Sequence, residues 1–192
     1  MLAEADLGGV RQLAAYSVDL QLTEPLELVI GVLERRAGGS PPRLVREEQQ
    51  FTRGCLALVR GHAGEARDLL EPITRGSAFH VRHFVLARTF EELALWREAA
   101  AEYESILENP YRTRFYMPLS LIDRFRLARV YERLGDSARA RRQYEAFLID
   151  WKDADPDIPE TIEARKRLQE LGGTAPKPEQ PSGAAPGAEG ES

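Results

Sequence analysis

One phrase occurs twice in the chain with nearly the same spacing, and this internal repeat constrains the fold more than any other feature. Leu86–Pro110 reads LARTFEELALWREAAAEYESILENP, and Leu127–Trp151 reads LARVYERLGDSARARRQYEAFLIDW. A weaker copy, GCLALVRGHAGEARDLLEPI, begins at Gly54. In each copy apolar residues recur at helical spacing on both sides of a turn. The repeat therefore predicts three pairs of amphipathic helices.

The residues at the turn and between the helices suit such a hairpin. In the third copy, Gly135 can adopt the positive φ that ends a helix, and Asp136 can cap the helix that follows. Ala128 and Ala140 are small enough to let the two helices approach closely. One hairpin cannot bury its apolar faces alone, whereas stacked hairpins form a continuous core. The sequence thus predicts an all-α protein built from antiparallel helix hairpins.

The spacing of Leu, small, aromatic, Leu-Gly, Ala, Tyr and large apolar residues resembles the tetratricopeptide repeat, a helix hairpin of about 34 residues. The third copy matches it best, and the second has Ala94 in place of the turn glycine. The resemblance covers about Arg46 to Leu171. The segment FLIDWKDADPDIPETIEARKRL (Phe147–Leu168) is similar to the ends of repeat arrays attached to bacterial serine/threonine kinases and winged-helix regulators. These resemblances imply a right-handed superhelical array.

The rest of the chain is expected to surround the copies. We predict a degenerate N-terminal helical hairpin over residues 1–45, repeats over about 47–79, 80–110 and 121–154 within a region 46–171, a capping helix over 159–171, and a disordered tail over 172–192. The insertion 109–120 has two prolines, which oppose helix, and three aromatic residues. The aromatic residues favour packing back on the array, and a solvated linker is the alternative.

Composition argues against several classes of partner. The net charge is −5, and the 30% of charged residues are mixed in sign, whereas nucleic-acid and membrane binding usually need a basic excess. No apolar run approaches the roughly 20 residues that span a bilayer. The N-terminus lacks the pattern of a signal peptide, and the single cysteine, Cys55, excludes an internal disulfide. We therefore expect a cytoplasmic protein with no nucleic-acid or membrane partner.

Motifs for catalysis and metal binding are missing from the sequence. No phosphate-binding loop, zinc-protease helix, nucleophile elbow or kinase signature is present. Asp153, Asp155 and Asp157 start like a calcium loop, but the later positions of that loop are not Gly and Glu. The arginines between Arg124 and Arg142 fall on two helices and divide between faces. The sequence predicts no enzyme, no metal and no cofactor.

A partner-binding groove follows from the resemblance. In tetratricopeptide arrays the first helix of each hairpin lines a concave surface that holds peptides, and two positions four residues apart face it. Phenylalanine there would anchor an apolar group, and arginine would bind a carboxylate. The alternative, in which the phenylalanines pack between repeats, stays open. The predicted groove residues are Phe51, Cys55, Phe84, Arg88, Phe125 and Arg129.

The function expected from these observations is that of a non-catalytic scaffold. Such a protein would bind a protein or peptide partner in the groove with little ordering cost, because the groove is preformed. A regulatory or oligomerisation segment of a larger bacterial signalling protein, either a kinase or a transcription regulator, is the alternative. The oligomeric state is left open by the sequence.

Overall fold

A computed structural model describes residues 4–37, 41–73, 79–108, 122–155 and 157–172. The described residues form nine α-helices and no strand, which confirms the all-α class. The helices are α1 (Glu4–Asp19), α2 (Glu24–Ala37), α3 (Arg43–Val59), α4 (Ala63–Leu70), α5 (Phe79–Glu92), α6 (Trp96–Glu108), α7 (Asp123–Arg133), α8 (Ser137–Asp150) and α9 (Pro159–Glu170). The superhelical arrangement stays a prediction. The insertion at 109–120 and the tail beyond residue 172 lie outside the described residues.

Four of the turns between helices share one geometry. Gln21, Gly61, Ala94 and Gly135 have φ values of 55°, 79°, 54° and 74°. At each turn this residue donates its N–H three residues back, and the next residue donates five residues back, as in Gly135 to Glu132 and Asp136 to Tyr131. This pair of bonds is the Schellman motif, which satisfies carbonyls left over at a helix end. The α1–α2 turn therefore matches the turns of the three copies.

Small residues let the paired helices approach each other. Gly54 lies on α3, and a Cβ atom added to it would lie 2.7 Å from Cγ of Leu70 on α4. In the other two copies Ala87 and Ala128 take the corresponding place, and both are fully buried. The close approach explains why the sequence alternates between small and large apolar residues in each copy.

Two large apolar clusters and a small one around Val29 and Leu33 hold the described helices together. The larger runs from α1 to α8 and contains side chains of every copy. The second large cluster surrounds Phe125 and Phe147 and includes Ala164 and Leu168 of α9. Helix α9 therefore covers a face of the α7–α8 pair at the position where the sequence predicts a capping helix. None of the described helices combines the length and apolar character that crossing a membrane requires.

Helix α1 departs from a simple hairpin arrangement. It packs mainly against α3, and its contacts with α2 and with α5 are both smaller. Its last residue, Asp19, forms an ion pair with Arg126 on α7. The first helix thus touches the first helices of all three copies, which helical periodicity alone does not predict.

Candidate functional site between α7 and α9

Four of the six predicted groove residues are core residues. Phe51, Phe84 and Phe125 are 1%, 2% and 4% exposed, and Cys55 is fully buried. Phe125 packs its ring against Tyr144, with ring centroids 5.9 Å apart. A side chain this buried contacts its own chain. Their burial favours the alternative in which the phenylalanines pack between repeats, and a groove role for these four residues stays a prediction.

Arg88 is also engaged within the chain. Its side chain is 23% exposed and lies 3.6 Å from Glu91. Burial alone would lower the pKa of Arg88, but Tyr103, Glu91 and Asp19 raise it above its usual value. The Arg88 guanidinium therefore balances buried and partly buried acidic groups of the fold, which leaves it poorly placed to bind the carboxylate of a partner.

Arg129 is the accessible member of the predicted set. Its side chain is 54% exposed, and its nearest carboxylate is that of Glu163 on α9, at 4.0 Å. The guanidinium also lies over the Phe125 ring, 5.9 Å from the ring centroid. An exposed ion pair at this distance contributes about 0–1 kcal/mol. A stronger ligand for Arg129 can therefore replace Glu163 at little cost.

A cleft of about 480 Å³ surrounds Arg129 where α7 faces α9. It is lined by Arg129, Glu132, Arg133, Glu163 and Arg167, and we call it the charged cleft. Arg129 and Arg133 are four residues apart on α7, so both lie on one face of that helix. Glu163 and Arg167 have the same spacing on α9. Three cations and two anions therefore line a single concave surface.

Glu132 and Arg167 form the fixed wall of the charged cleft. The guanidinium of Arg167 donates to the Glu132 carboxylate at 2.6 to 3.1 Å through two of its nitrogens. This hydrogen bond raises the pKa of Arg167 further above its usual value. Arg167 also pairs with Glu170. These two side chains satisfy each other and position α9 against α7.

Arg133 has a different environment from Arg167. Its guanidinium lies 5.6 Å from the centroid of the Trp96 ring. It has no ion pair with any residue in the described part of the chain. An arginine stacked on an aromatic ring keeps its in-plane N–H donors available for a carboxylate. Arg129 and Arg133 are thus the two cations that the charged cleft offers to a ligand.

The sequence interpretation missed Arg133, Glu132, Glu163 and Arg167. The signal that could have found them is the four-residue spacing of charges on two helices that later prove to be neighbours. That spacing identifies a shared face of each helix, but it does not show that the two faces meet. The proximity of α7 and α9 comes from the buried cluster between them.

A larger cleft, of about 600 Å³, lies between α6 and the start of α8. Its Glu104, Asp136 and Arg139 are paired with one another, whereas the exposed Arg97 has no ion pair within the described part of the chain. Arg139 contacts Asp136 at 2.6 Å and Glu104 at 3.8 Å, and the Tyr131 hydroxyl donates to Glu104. Burial, followed by this hydrogen bond, raises the pKa of Tyr131 to about 12. These side chains brace the two hairpins and offer few free donors.

Metal-binding chemistry has no support in the described part of the chain, where no three potential ligands converge. His83 pairs with Glu102 across α5 and α6. Burial raises the pKa of the Cys55 thiol well above its usual value, which disfavours the thiolate that binds metals. The side chain of His80, three residues before His83 in the sequence, lies outside the described part.

The arginine-rich stretch is distributed over several surfaces. Arg124 pairs with Asp150 at 2.8 Å, Arg126 with Asp19, and Arg141 with Glu145 at 3.8 Å. These arginines therefore do not form one basic patch of the kind that follows a nucleic-acid backbone. The charged cleft, with two cations presented together, is the better candidate for a ligand.

No family model, curated protein or solved structure matches this chain.

Proposed function

We propose that the chain is a non-catalytic scaffold that binds an acidic segment of another protein in the charged cleft. The observation that carries this proposal is the pair Arg129 and Arg133. Both are exposed, both lie on one face of α7, and neither has a close ion pair. Arginine binds carboxylates through two parallel hydrogen bonds, which gives geometric selectivity as well as affinity. A segment with two carboxylates about one helical turn apart would satisfy both cations.

Two anions already in the cleft restrict how many acidic groups a ligand can carry. Glu132 is held by Arg167, and Glu163 lies 4.0 Å from Arg129. A densely acidic polymer would be repelled by these two carboxylates. A segment with few, well-spaced acidic residues would displace only Glu163. The structure thus favours a defined protein segment over a general polyanion as ligand.

The repeat pattern supports the same type of function. The three copies resemble tetratricopeptide repeats, whose arrays display rigid surfaces to peptides and other proteins. The Schellman turns at Gly61, Ala94 and Gly135 give the three copies the same local geometry. A preformed surface of packed helices loses little conformational freedom on binding. This suits a scaffold better than an enzyme.

The alternative function, a regulatory or oligomerisation segment of a larger bacterial signalling protein, has its own supporting observation. Leu20, Leu22 and Leu28 are 64%, 45% and 66% exposed around the α1–α2 turn. Exposed apolar side chains close together are typical of surfaces that another domain or a second copy covers. Sedimentation of the wild-type chain and of a Leu20→Lys/Leu28→Lys variant tests this. A dimer that the substitutions dissociate would favour the alternative.

The scaffold proposal is tested by quantitative affinity capture from a bacterial lysate. The chain with Arg129→Glu/Arg133→Glu is compared with wild type and with a matched control, Arg141→Glu/Arg142→Glu. The control makes the same charge change at two exposed arginines of α8, outside the charged cleft. We expect one or a few proteins to be captured by wild type and control and lost with the cleft variant.

The captured protein must then bind the purified chain directly, with the same order of affinities among the three forms. A synthetic peptide from its acidic segment should compete for that binding. Equal capture by the cleft variant and wild type would contradict the proposal. A loss that the control variant shares would show dependence on net charge alone, and would also contradict it.

A further inference from the structure

The second and third copies carry an arginine, a glutamate and a tyrosine at equivalent positions, and each residue of the third copy lies 41 positions after its counterpart. In the second copy the three residues are Arg88 and Glu91 on α5 and Tyr103 on α6. In the third copy they are Arg129 and Glu132 on α7 and Tyr144 on α8. Because the two hairpins share one turn geometry, their polar residues can be compared directly.

In the second copy the glutamate joins the other two side chains. The Tyr103 hydroxyl donates to Oε1 of Glu91, and Oε2 of the same carboxylate lies 3.6 Å from Nη1 of Arg88. Tyr103 is fully buried, so its hydroxyl needs an acceptor inside the protein. The tyrosine and the arginine of this copy thus share one carboxylate.

In the third copy the glutamate is held by another helix. Both carboxylate oxygens of Glu132 accept from Arg167 of α9. Tyr144 is as fully buried as Tyr103, yet its hydroxyl has no hydrogen-bond partner among the described residues. A buried hydroxyl without a partner destabilises a protein, and natural structures contain few of them. The docking of α9 has therefore left the tyrosine and the arginine of this copy without a shared carboxylate.

The position of the Tyr144 hydroxyl relates it to the charged cleft. The Tyr144 ring packs against Phe125, and the Arg129 guanidinium lies over the same Phe125 ring. Burial, and then the negative charge of Glu132, raises the pKa of Tyr144 well above its usual value, so the hydroxyl keeps its proton and remains a donor. The charges that act on this hydroxyl all belong to residues that line the cleft, namely Glu132, Arg167, Glu163 and Arg129. The unsatisfied donor therefore lies at the buried end of the cleft.

We propose that the charged cleft binds a carboxylate of its ligand between the Arg129 guanidinium and the Tyr144 hydroxyl, in the role that Glu91 has in the second copy. This inference rests on the proposed function and adds Tyr144 as a residue that recognises the acidic group. The carboxylate accepts from a cation on one side and from a neutral hydroxyl on the other, and both bonds are charge-assisted. The second acidic residue of the ligand binds Arg133.

Glu163 is the residue of the chain that the ligand displaces. Its carboxylate lies 4.0 Å from Arg129, and the Tyr144 hydroxyl does not donate to it. The side chains of Arg129 and Glu163 are 54% and 48% exposed, and an ion pair this exposed is weak. Glu163 thus stays close to the cation without filling the position that Glu91 fills in the second copy.

The first part of the test compares two matched tyrosine variants in the full chain. Tyr144→Phe removes a hydroxyl that has no partner, so the melting temperature should stay the same or rise. Tyr103→Phe removes the donor to Glu91 and should lower the melting temperature by about 3 °C or more. An equal loss in both variants would show that the Tyr144 hydroxyl has an acceptor within the chain in solution, and would overturn the proposal.

The second part measures the binding of a fluorescent helical peptide by anisotropy. The peptide consists of alanine and glutamine with two glutamates four positions apart, and a peptide with alanine in place of both glutamates is its control. Tyr144→Phe should weaken binding of the glutamate peptide about tenfold or more, because a hydrogen bond to a charged group is lost. Tyr103→Phe makes the same chemical change outside the cleft and should bind this peptide as wild type does.

The remaining comparisons separate the role of Tyr144 from the proposed function. If Tyr144→Phe weakens binding of the glutamate and alanine peptides by the same factor, the hydroxyl does not contact a carboxylate, and the proposal is wrong. If Arg129→Glu/Arg133→Glu abolishes binding of the glutamate peptide and Tyr144→Phe leaves it unchanged, the cleft binds acidic segments without the hydroxyl, and only the role of Tyr144 is wrong. If the wild-type chain does not distinguish the glutamate peptide from the alanine peptide, both proposals are wrong.

Discussion

The first helix pair, α1–α2, and the pair α7–α8 share a turn but are stabilised in different ways. Gln21 and Gly135 adopt the same left-handed conformation, followed by the same two backbone hydrogen bonds. Beyond the turn the pairs diverge. Helices α7 and α8 pack tightly on each other and are covered by α9, whereas α1 packs mainly on α3 and contacts α2 no more than it contacts α5. An identical turn therefore does not make two helices a stable unit.

The two helix pairs differ in the interactions that stabilise them. The α7–α8 turn has a glycine at the left-handed position, and Asp136 caps α8 by accepting from the Arg139 N–H at 2.9 Å. That hydrogen bond lowers the pKa of Asp136. In contrast, α1 depends on the buried pair Arg11–Glu48. The α7–α8 hairpin is stabilised by apolar packing and local geometry, whereas α1 combines the buried Ala14, Ala15 and Val18 with an ion pair to a residue 37 positions away.

Removal of Arg11 should have the largest effect on the difference in stability between α1 and the α7–α8 pair. In the Arg11→Ala variant Glu48 keeps a buried charge without its partner, which costs about 3–5 kcal/mol as long as α1 stays in place. Undocking of α1 relieves that cost. We therefore expect amide hydrogen exchange to accelerate strongly in α1 and little in α7 and α8. Exchange measured by mass spectrometry on proteolytic fragments resolves these helices.

Arg43 supplies the matched control for that experiment. It pairs with Glu47 on the same α3 helix at 2.7 Å, but its side chain is 72% exposed. Exposed pairs contribute about 0–1 kcal/mol, so Arg43→Ala should leave exchange in α1 nearly unchanged. Equal acceleration of α1 and α8 in the Arg11 variant would show that α1 is an inseparable part of one cooperative unit.

Overpacking of the α7–α8 pair should produce the next largest effect. Ala128 is fully buried in the same apolar cluster as Phe147 and Tyr144, so Leu at this position forces the helices apart. The expected loss is about 1–3 kcal/mol. For a chain of this size each kcal/mol lowers the melting temperature by about 2–4 °C. Thermal unfolding followed by circular dichroism measures the change.

The control for helix propensity is Ala101→Leu, at an exposed position of α6. It introduces the same side chain without filling any space between helices, so its melting temperature should stay near that of wild type. If Ala128→Leu were equally harmless, the close packing assigned to α7 and α8 would be incorrect.

The sequence predicts the hairpins well because their information is local. Apolar spacing, small residues and Gly135 lie within a few turns of one another, and each has a direct structural consequence. Gln21 and Ala94 adopt the same conformation as glycine, but their side chains give no sign of it. The position of α1 is also hidden. Its pairs join residues 37 and 107 positions apart, and no local spacing reveals contacts of that range.

The candidate site was predictable only in part for the same reason. Periodicity places Phe84 and Arg88 on one helix face, and Phe125 and Arg129 on another. It does not show whether such a face is open or covered. The structure covers the phenylalanines and leaves Arg129 exposed. The remaining cleft residues depend on the approach of α9 to α7, which is a tertiary contact that the single sequence does not specify.

The shared turn itself can be tuned at Ala94. This residue has a φ of 54°, a conformation that costs an ordinary residue about 1–2 kcal/mol and glycine almost nothing. Ala94→Gly should therefore stabilise the chain by about 1 kcal/mol after the greater flexibility of the unfolded chain is included. Gly135→Ala is the reverse substitution and should destabilise the chain by a similar amount. An added Cβ at residue 135 meets no other atom, so the positive φ is the only source of strain. Chemical denaturation gives both values.

The smallest expected effect is a pH dependence that separates burial from ion pairing at Glu48. Burial raises the pKa of Glu48 in the folded state above its usual 4.5, while Arg11 lowers it. The folded protein therefore holds this proton to higher pH than the unfolded chain does. The stability that the protonated group contributes is complete below pH 4.5 and is lost as pH rises through the folded pKa. Wild type should lose stability relative to Glu48→Gln over this interval, as measured by denaturation at successive pH values.

The control is Gln49→Asn, which replaces one amide side chain by another at the next residue. Its free energy of unfolding should depend on pH in the same way as that of wild type. A wild-type curve that instead gains stability relative to Glu48→Gln would mean that attraction to Arg11 outweighs burial.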